Sequence, residues 1–212
     1  MGEARRAFRD GGYEGAIRTH DWNRAGGALA NLMDYKGNRQ AAAEVAEQIV
    51  AYRREHLWCP IDLVGYSGGA GMALMVAEAL PEDIRLRNII LVQGAVSPDY
   101  DLSQVMDRVE GKIVNFYSPY DWLLLGVGTW FWGTMDRAHV VSAGNKGFDA
   151  DRAVPDEIQR AKLEQYRWSG KMLASGHLGG HFSILFYQWN KEYVVPYLTG
   201  DSRFLGETRE KP

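Results

Sequence analysis

The pentapeptide Gly65-Tyr66-Ser67-Gly68-Gly69 narrows the folding of this chain more than any other feature. Pro60 through Tyr66 is an apolar run that reads as a strand, with proline tolerated at its first residue. Gly68 through Leu80 is rich in Ala, Met, Leu and Val and reads as a helix that Pro81 stops. A strand that becomes a helix within one residue strains the residue at the bend and lifts its side chain clear of the backbone. Side chains two residues before and after the bend collide there, so Gly65 and Gly69 are expected to answer a steric demand. Two other glycine-rich loops fail on spacing. No Lys followed by Ser or Thr closes the run, as a Walker-type phosphate loop requires. Gly65, Gly68, Gly69 and Gly71 do not fit Gly-x-Gly-x-x-Gly. What remains is a serine hydroxyl, Ser67, above a helix N-terminus whose N–H groups favour developing negative charge. The backbone N–H of Gly68 is then an oxyanion donor.

The rest of the chain alternates strand-like and helix-like runs. That pattern predicts an α/β fold: a mostly parallel sheet flanked by helices. Ala16–His20 is a weak strand candidate. Asn38–His56 reads as a helix with Asn38 as N-cap and Ala42, Val45, Ile49 and Tyr52 on one stripe. Asn88–Gln93 and Lys112–Ser118 read as buried strands. Pro155–Trp168 reads as a helix, Lys171–Ser175 as a short last strand, and Phe182–Leu198 as a final helix that Pro196 ends or bends.

At 212 residues the chain suits one domain, taken as 1–212. Its net charge of −3 comes with scattered basic residues, which excludes the concentrated basic face of a nucleic-acid binder. One cysteine, Cys59, excludes an intrachain disulfide and reads as a small hydrophobe at a strand entrance. No apolar stretch reaches the roughly 18 residues that span a bilayer. Met1–Arg6 leads into no signal-peptide core, and Gly2 lacks the Ser or Thr at position 6 of a myristoylation signal. These readings predict a soluble, cytoplasmic protein. Oligomeric state is left open.

A serine hydroxyl becomes a nucleophile when an imidazole takes its proton and a carboxylate holds that imidazole. The strand ending at Ser118 runs into Pro119-Tyr120-Asp121, which nominates Asp121 as the acid. Asp99 and Asp101 follow the preceding strand as reserves, and Asp136 lies farther along. Gly176-His177-Leu178-Gly179-Gly180-His181-Phe182 supplies the base: His181, just ahead of a helix, with His177 as the alternative. His20, His56 and His139 read as structural or exposed. His177 and His181 are four apart, but Gly179 and Gly180 argue against a helix and no Glu follows His177, so no metal site is expected. No cofactor is expected.

From about Ile61 to Leu198 the chain resembles the C-terminal two-thirds of an α/β-hydrolase. The nucleophile turn at Gly65–Gly69, the acid loop at Asp121 and the histidine loop at His181 carry the resemblance. It implies the α/β-hydrolase fold and cleavage of an ester, thioester or amide through an acyl-enzyme. The resemblance also implies a strand and loop that donate half of the oxyanion hole, and no such strand precedes Arg5–Arg9. Ala4–Gly12 resembles the family's first helix and its exit, so the chain reads as N-terminally shortened. Unless Ala16–His20 closes against Ile61–Gly65, the nucleophile strand is left with a gap beside it. The implied partner is a small acyl substrate, and Trp122–Trp132 is so apolar that it reads either as an acyl-binding wall or as a buried excursion. A serine esterase or lipase-like hydrolase is the leading function. A catalytically impaired relative that binds a ligand or partner is the rival, and acyl transfer to an acceptor other than water is a third reading.

Overall fold

The computed structural model describes residues 2–21, 34–121 and 134–201. Its contacts group into two units, His20–Arg167 and a second made of Met1–Thr19 with Trp168–Pro212. Trp122–Trp132 lies outside the described residues.

Among the described residues the larger unit, of α/β class, holds a four-stranded sheet in the order β1 (Asp62–Tyr66), β2 (Asn88–Val92), β3 (Ile113–Tyr117), β4 (Leu163–Arg167). All three pairings are parallel. The two central strands are nearly continuous apolar runs, buried at every position in β2, as a strand covered on both faces must be. β1 and β4 are the ends of the sheet and are only partly buried. Helix α2 (Tyr35–Glu55) packs its Ala41, Ala42, Ala46 and Ile49 into the same core as helix α3 (Gly68–Ala79). α3 is buried from Ala70 through Ala77, so its Ala, Met, Leu and Val content is a core requirement rather than an amphipathic stripe.

Several expectations are corrected. Ala16–His20 forms no strand; it is irregular backbone. Helix α2 starts at Tyr35, not Asn38: Asp34 is the N-cap, accepting from the Gly37 amide at 3.0 Å, while Asn38 is buried inside the helix. Asp wins because its carboxylate faces the helix's first free N–H groups. Pro155–Trp168 holds only one helical turn, Glu157–Arg160, and then β4. Leu163–Arg167 contains good helix formers, but the parallel ladder to β3 and the stacking of Tyr166 on Phe116 at 5.3 Å outweigh that local preference. Gln93 lies beyond β2 with φ 49°, outside the strand. Cys59, expected as a small hydrophobe at a strand entrance, is exposed.

In the smaller unit, helix α1 (Gly2–Asp10) buries Ala4, Ala7 and Phe8. Lys171–Ser175 is not a strand but part of a 3-10 helix, Gly170–Ser175, ended by Gly176 at φ 87°. The final helix is interrupted near its start and widens over Asn190–Val194 into π-type turns before Val195–Thr199. Pro196 neither ends nor sharply breaks it. A proline lacks the N–H that would bond the carbonyl four residues back and crowds that carbonyl, and a wider turn just ahead accommodates both defects. Among the described residues no helix is long and apolar enough to cross a membrane.

Candidate active site

Ser67 is the single residue between β1 and α3, at φ 54° and ψ −124°. A positive φ in a non-glycine residue is uncommon and costs on the order of 1–3 kcal/mol, so the surroundings must hold it. They do so through backbone. The Ser67 N–H donates to Val92 O at 3.0 Å, and the Ser67 carbonyl accepts from Ala70 at 3.0 Å and Ala95 at 3.1 Å. The hydroxyl makes no capping bond to α3, and the residue is partly exposed. The Gly68 N–H opens α3, one of the amides that a helix leaves without an internal acceptor.

Of the two flanking glycines, Gly65 carries the steric demand. A Cβ there would lie 2.4 Å from Gly69 O and 2.6 Å from Ala70 Cα, because the first turn of α3 folds directly over β1. A Cβ on Gly69 meets no described atom within 4 Å, which corrects the expectation that both glycines are sterically required.

Asp121 follows β3, past the C-terminal ends of the strands as Ser67 is, and is 3% exposed. Its Oδ2 accepts from Gln93 Nε2 at 3.2 Å. Gln93 itself occupies left-handed backbone, with its N–H bonded to Phe116 O. Burial, and then the charge of Asp121, push the Tyr66 phenol well above its ordinary pKa, so it stays protonated. Tyr66, Ser67, Gln93 and Asp121 thus gather at the C-terminal ends of three adjacent parallel strands, where open α/β sheets place ligands. Gln93 was not foreseen as a site residue; its signal is a polar residue directly after the apolar run Ile89–Val92.

The other carboxylates are engaged elsewhere. Asp99 pairs with Arg152 on the surface, and Asp101 bonds the Ser103 amide. Asp136 accepts from both the amide and the hydroxyl of Ser97. The run Ser142–Phe148 braces the acid loop. Gly144 O accepts from the Ser118 amide at 3.0 Å, and Asn145 Nδ2 reaches the Ser118 and Pro119 carbonyls. A Cβ on Gly144 would lie 2.4 Å from backbone atoms of Gln93 and Gly94.

In the smaller unit, the loop after the 3-10 helix carries both candidate bases. His177 is 3% exposed, and its ring lies edge-on to Trp189 and Trp168 at 5.5 and 6.3 Å. Its Nδ1 accepts from the Gly179 amide at 3.0 Å, so the neutral ring carries its proton on Nε2. A triad base needs the opposite tautomer, with Nδ1–H toward the carboxylate and a bare Nε2. His181 is partly exposed, with its ring edge-on to Phe182. His20, His56 and His139 are exposed. Among the described residues no group of three His, Cys, Asp or Glu side chains could hold a metal ion.

Burial lowers the His177 pKa to about 4. The folded protein therefore resists protonation there while the unfolded chain takes a proton near pH 6.5. The stability contribution is full above about pH 6.5 and is lost as pH falls toward about 4. At about 1.4 kcal/mol per unit the expected loss is roughly 3 kcal/mol. Urea unfolding across that window checks it, and His177→Asn should show a shallower slope than wild type. Equal slopes would remove His177 as the source.

No protein-family model matches this chain, and no solved structure matches it. A Caenorhabditis elegans protein named as an uncharacterized membrane protein is 31% identical to it over 120 residues. That alignment takes in 52% of this chain and 19% of the worm protein, so the chain spans about a fifth of that relative.

Proposed function

We propose that this chain is a serine hydrolase of α/β-hydrolase type that cleaves an ester or related acyl bond through an acyl-enzyme on Ser67. The observation that carries the reading is the backbone of Ser67. A serine held at φ 54° between a parallel strand and a buried helix, with its hydroxyl not capping that helix, bears the kind of backbone strain that clusters at active sites. In the proposed reaction the Ser67 Oγ attacks the acyl carbon as the base takes its proton. The Gly68 amide bonds the resulting oxyanion, and the leaving group departs with that proton. Water then repeats the sequence on the acyl-enzyme and releases the acid.

Asp121 is the proposed acid. It is buried, already oriented by Gln93, and the other three carboxylates are tied to surface or loop partners. His181 is the proposed base, because the Gly179 amide fixes His177 in the wrong tautomer. A fluorophosphonate probe tests the reading: covalent labelling located by peptide mass spectrometry on Ser67 is the expected result. A folded sample that takes no label would turn the reading toward a catalytically impaired protein that binds a ligand at this edge of the sheet.

A further inference from the structure

We infer that His177 is a positioning residue, a latch that holds the loop Gly176–Phe182 in the one conformation that presents His181. The catalytic meaning of this rests on the hydrolase reading; the latch itself does not.

The loop needs one. Gly176, Gly179 and Gly180 are three of its seven residues, and the first two adopt left-handed backbone at φ 87° and 89°. Glycine loses more conformational freedom on ordering than any other residue, so such a loop stays in one shape only if something offsets that cost. Almost every polar group of His177 is spent on doing so. Its N–H donates to Met172 O at 3.1 Å, its carbonyl accepts from the Trp168 indole N–H at 2.9 Å, and its Nδ1 accepts from the Gly179 amide at 3.0 Å. Burial between two tryptophans fixes the ring plane, and so the direction in which Nδ1 accepts. Trp168 and Trp189, which form no pattern in the sequence, thereby acquire a role. The first two bonds would be made by the backbone of any buried residue here; the bond from Gly179 to Nδ1 is the one that the imidazole itself supplies. The bond to Gly179 closes a ring two residues ahead of His181, at the point where the backbone is least constrained by its own side chains.

The geometry makes the substitutions discriminating. Asparagine places its Oδ1 near the position of Nδ1, leucine fills the volume with no acceptor, and glutamine carries its acceptor farther out, near Nε2. Full-length wild type, His177→Asn, His177→Leu and His177→Gln are compared in two assays. One is amide hydrogen exchange at Gly179; the other is hydrolysis of p-nitrophenyl acetate. In the Leu and Gln variants exchange at Gly179 should quicken about tenfold or more, the size of one lost hydrogen bond. The same variants should lose about tenfold in kcat with KM nearly unchanged, as misplacement of a base predicts. The Asn variant should restore both. Unaltered exchange in Leu and Gln, or failure of Asn to restore it, overturns the latch. If Leu does not fold, Gln against Asn carries the same contrast. A wild type that neither labels nor hydrolyses removes the hydrolase reading. Slow Gly179 exchange that Asn keeps and Gln loses would still support the latch.

Discussion

Ser67→Ala is expected to abolish fluorophosphonate labelling and to lower kcat on p-nitrophenyl acetate by about 10³-fold or more, without loss of fold. The fold survives because the turn is held by backbone: the Val92 O, Ala70 and Ala95 bonds to Ser67 involve only its N–H and carbonyl. Alanine can occupy the same strained position at a cost close to that of serine, since the hydroxyl makes no capping bond to α3. Asp121→Asn is expected to cost about 10²- to 10⁴-fold in kcat, because an amide can neither hold the required tautomer nor stabilise the imidazolium. The double variant should be no slower than Ser67→Ala, since residues that act as one unit do not add. Steady-state kinetics on the four proteins decides it. Additive losses in the double variant, or an Asp121→Asn protein at wild-type rate, would take Asp121 out of the reaction.

The parts of the fold that sequence revealed are those where one physical demand dominates. β2 and β3 are buried on both faces, so their residues leave little room for any other reading. The helix after Ser67 is legible because Gly68 starts it and Pro81 lies just beyond its end. β4 was hidden because Leu163-Glu164-Gln165-Tyr166-Arg167 has helix-forming composition, and only its neighbour in space makes it a strand. The final helix was visible, but the widening over Asn190–Val194 that accommodates Pro196 is a compensation no periodicity announces.

The candidate site divides the same way. Ser67 is legible because the chemistry of the turn is written in consecutive residues. Asp121 is legible as a carboxylate just past a strand. The partner that orients it, Gln93, comes from a different strand end, and the loop that braces it comes from Gly144 and Asn145. These are long-range contacts between residues with no local signature. The Gly179 amide hydrogen that bonds His177 Nδ1, on which the proposal of His181 over His177 leans, is likewise an atom that composition does not show.

Gly65→Ala is expected to destabilise the protein by about 1–3 kcal/mol or more, the range of overpacking at a buried position. The atoms its Cβ would strike are Gly69 O at 2.4 Å and Ala70 Cα at 2.6 Å, both backbone, so no rotamer change relieves the clash. Relief requires the first turn of α3 to lift away from β1, and Ala70 cannot lift easily. Its amide bonds the Ser67 carbonyl, and its Cβ lies where a side chain on Gly94 would have to go, at 2.8 Å. Gly69→Ala changes the same motif by the same methyl group, yet its Cβ meets no described atom within 4 Å. Gly69 sits in the first turn of a helix, where alanine is favoured over glycine by about 0.5–1 kcal/mol. That variant should be neutral or slightly stabilised. Urea midpoints at constant m-value measure both. The contrast matters more than either value, because it isolates the close crossing of strand and helix from any general intolerance of the motif. Equal destabilisation by the two methyl groups would mean that α3 does not lie over Gly65, and the bend that lifts Ser67 out of the sheet would lose its cause.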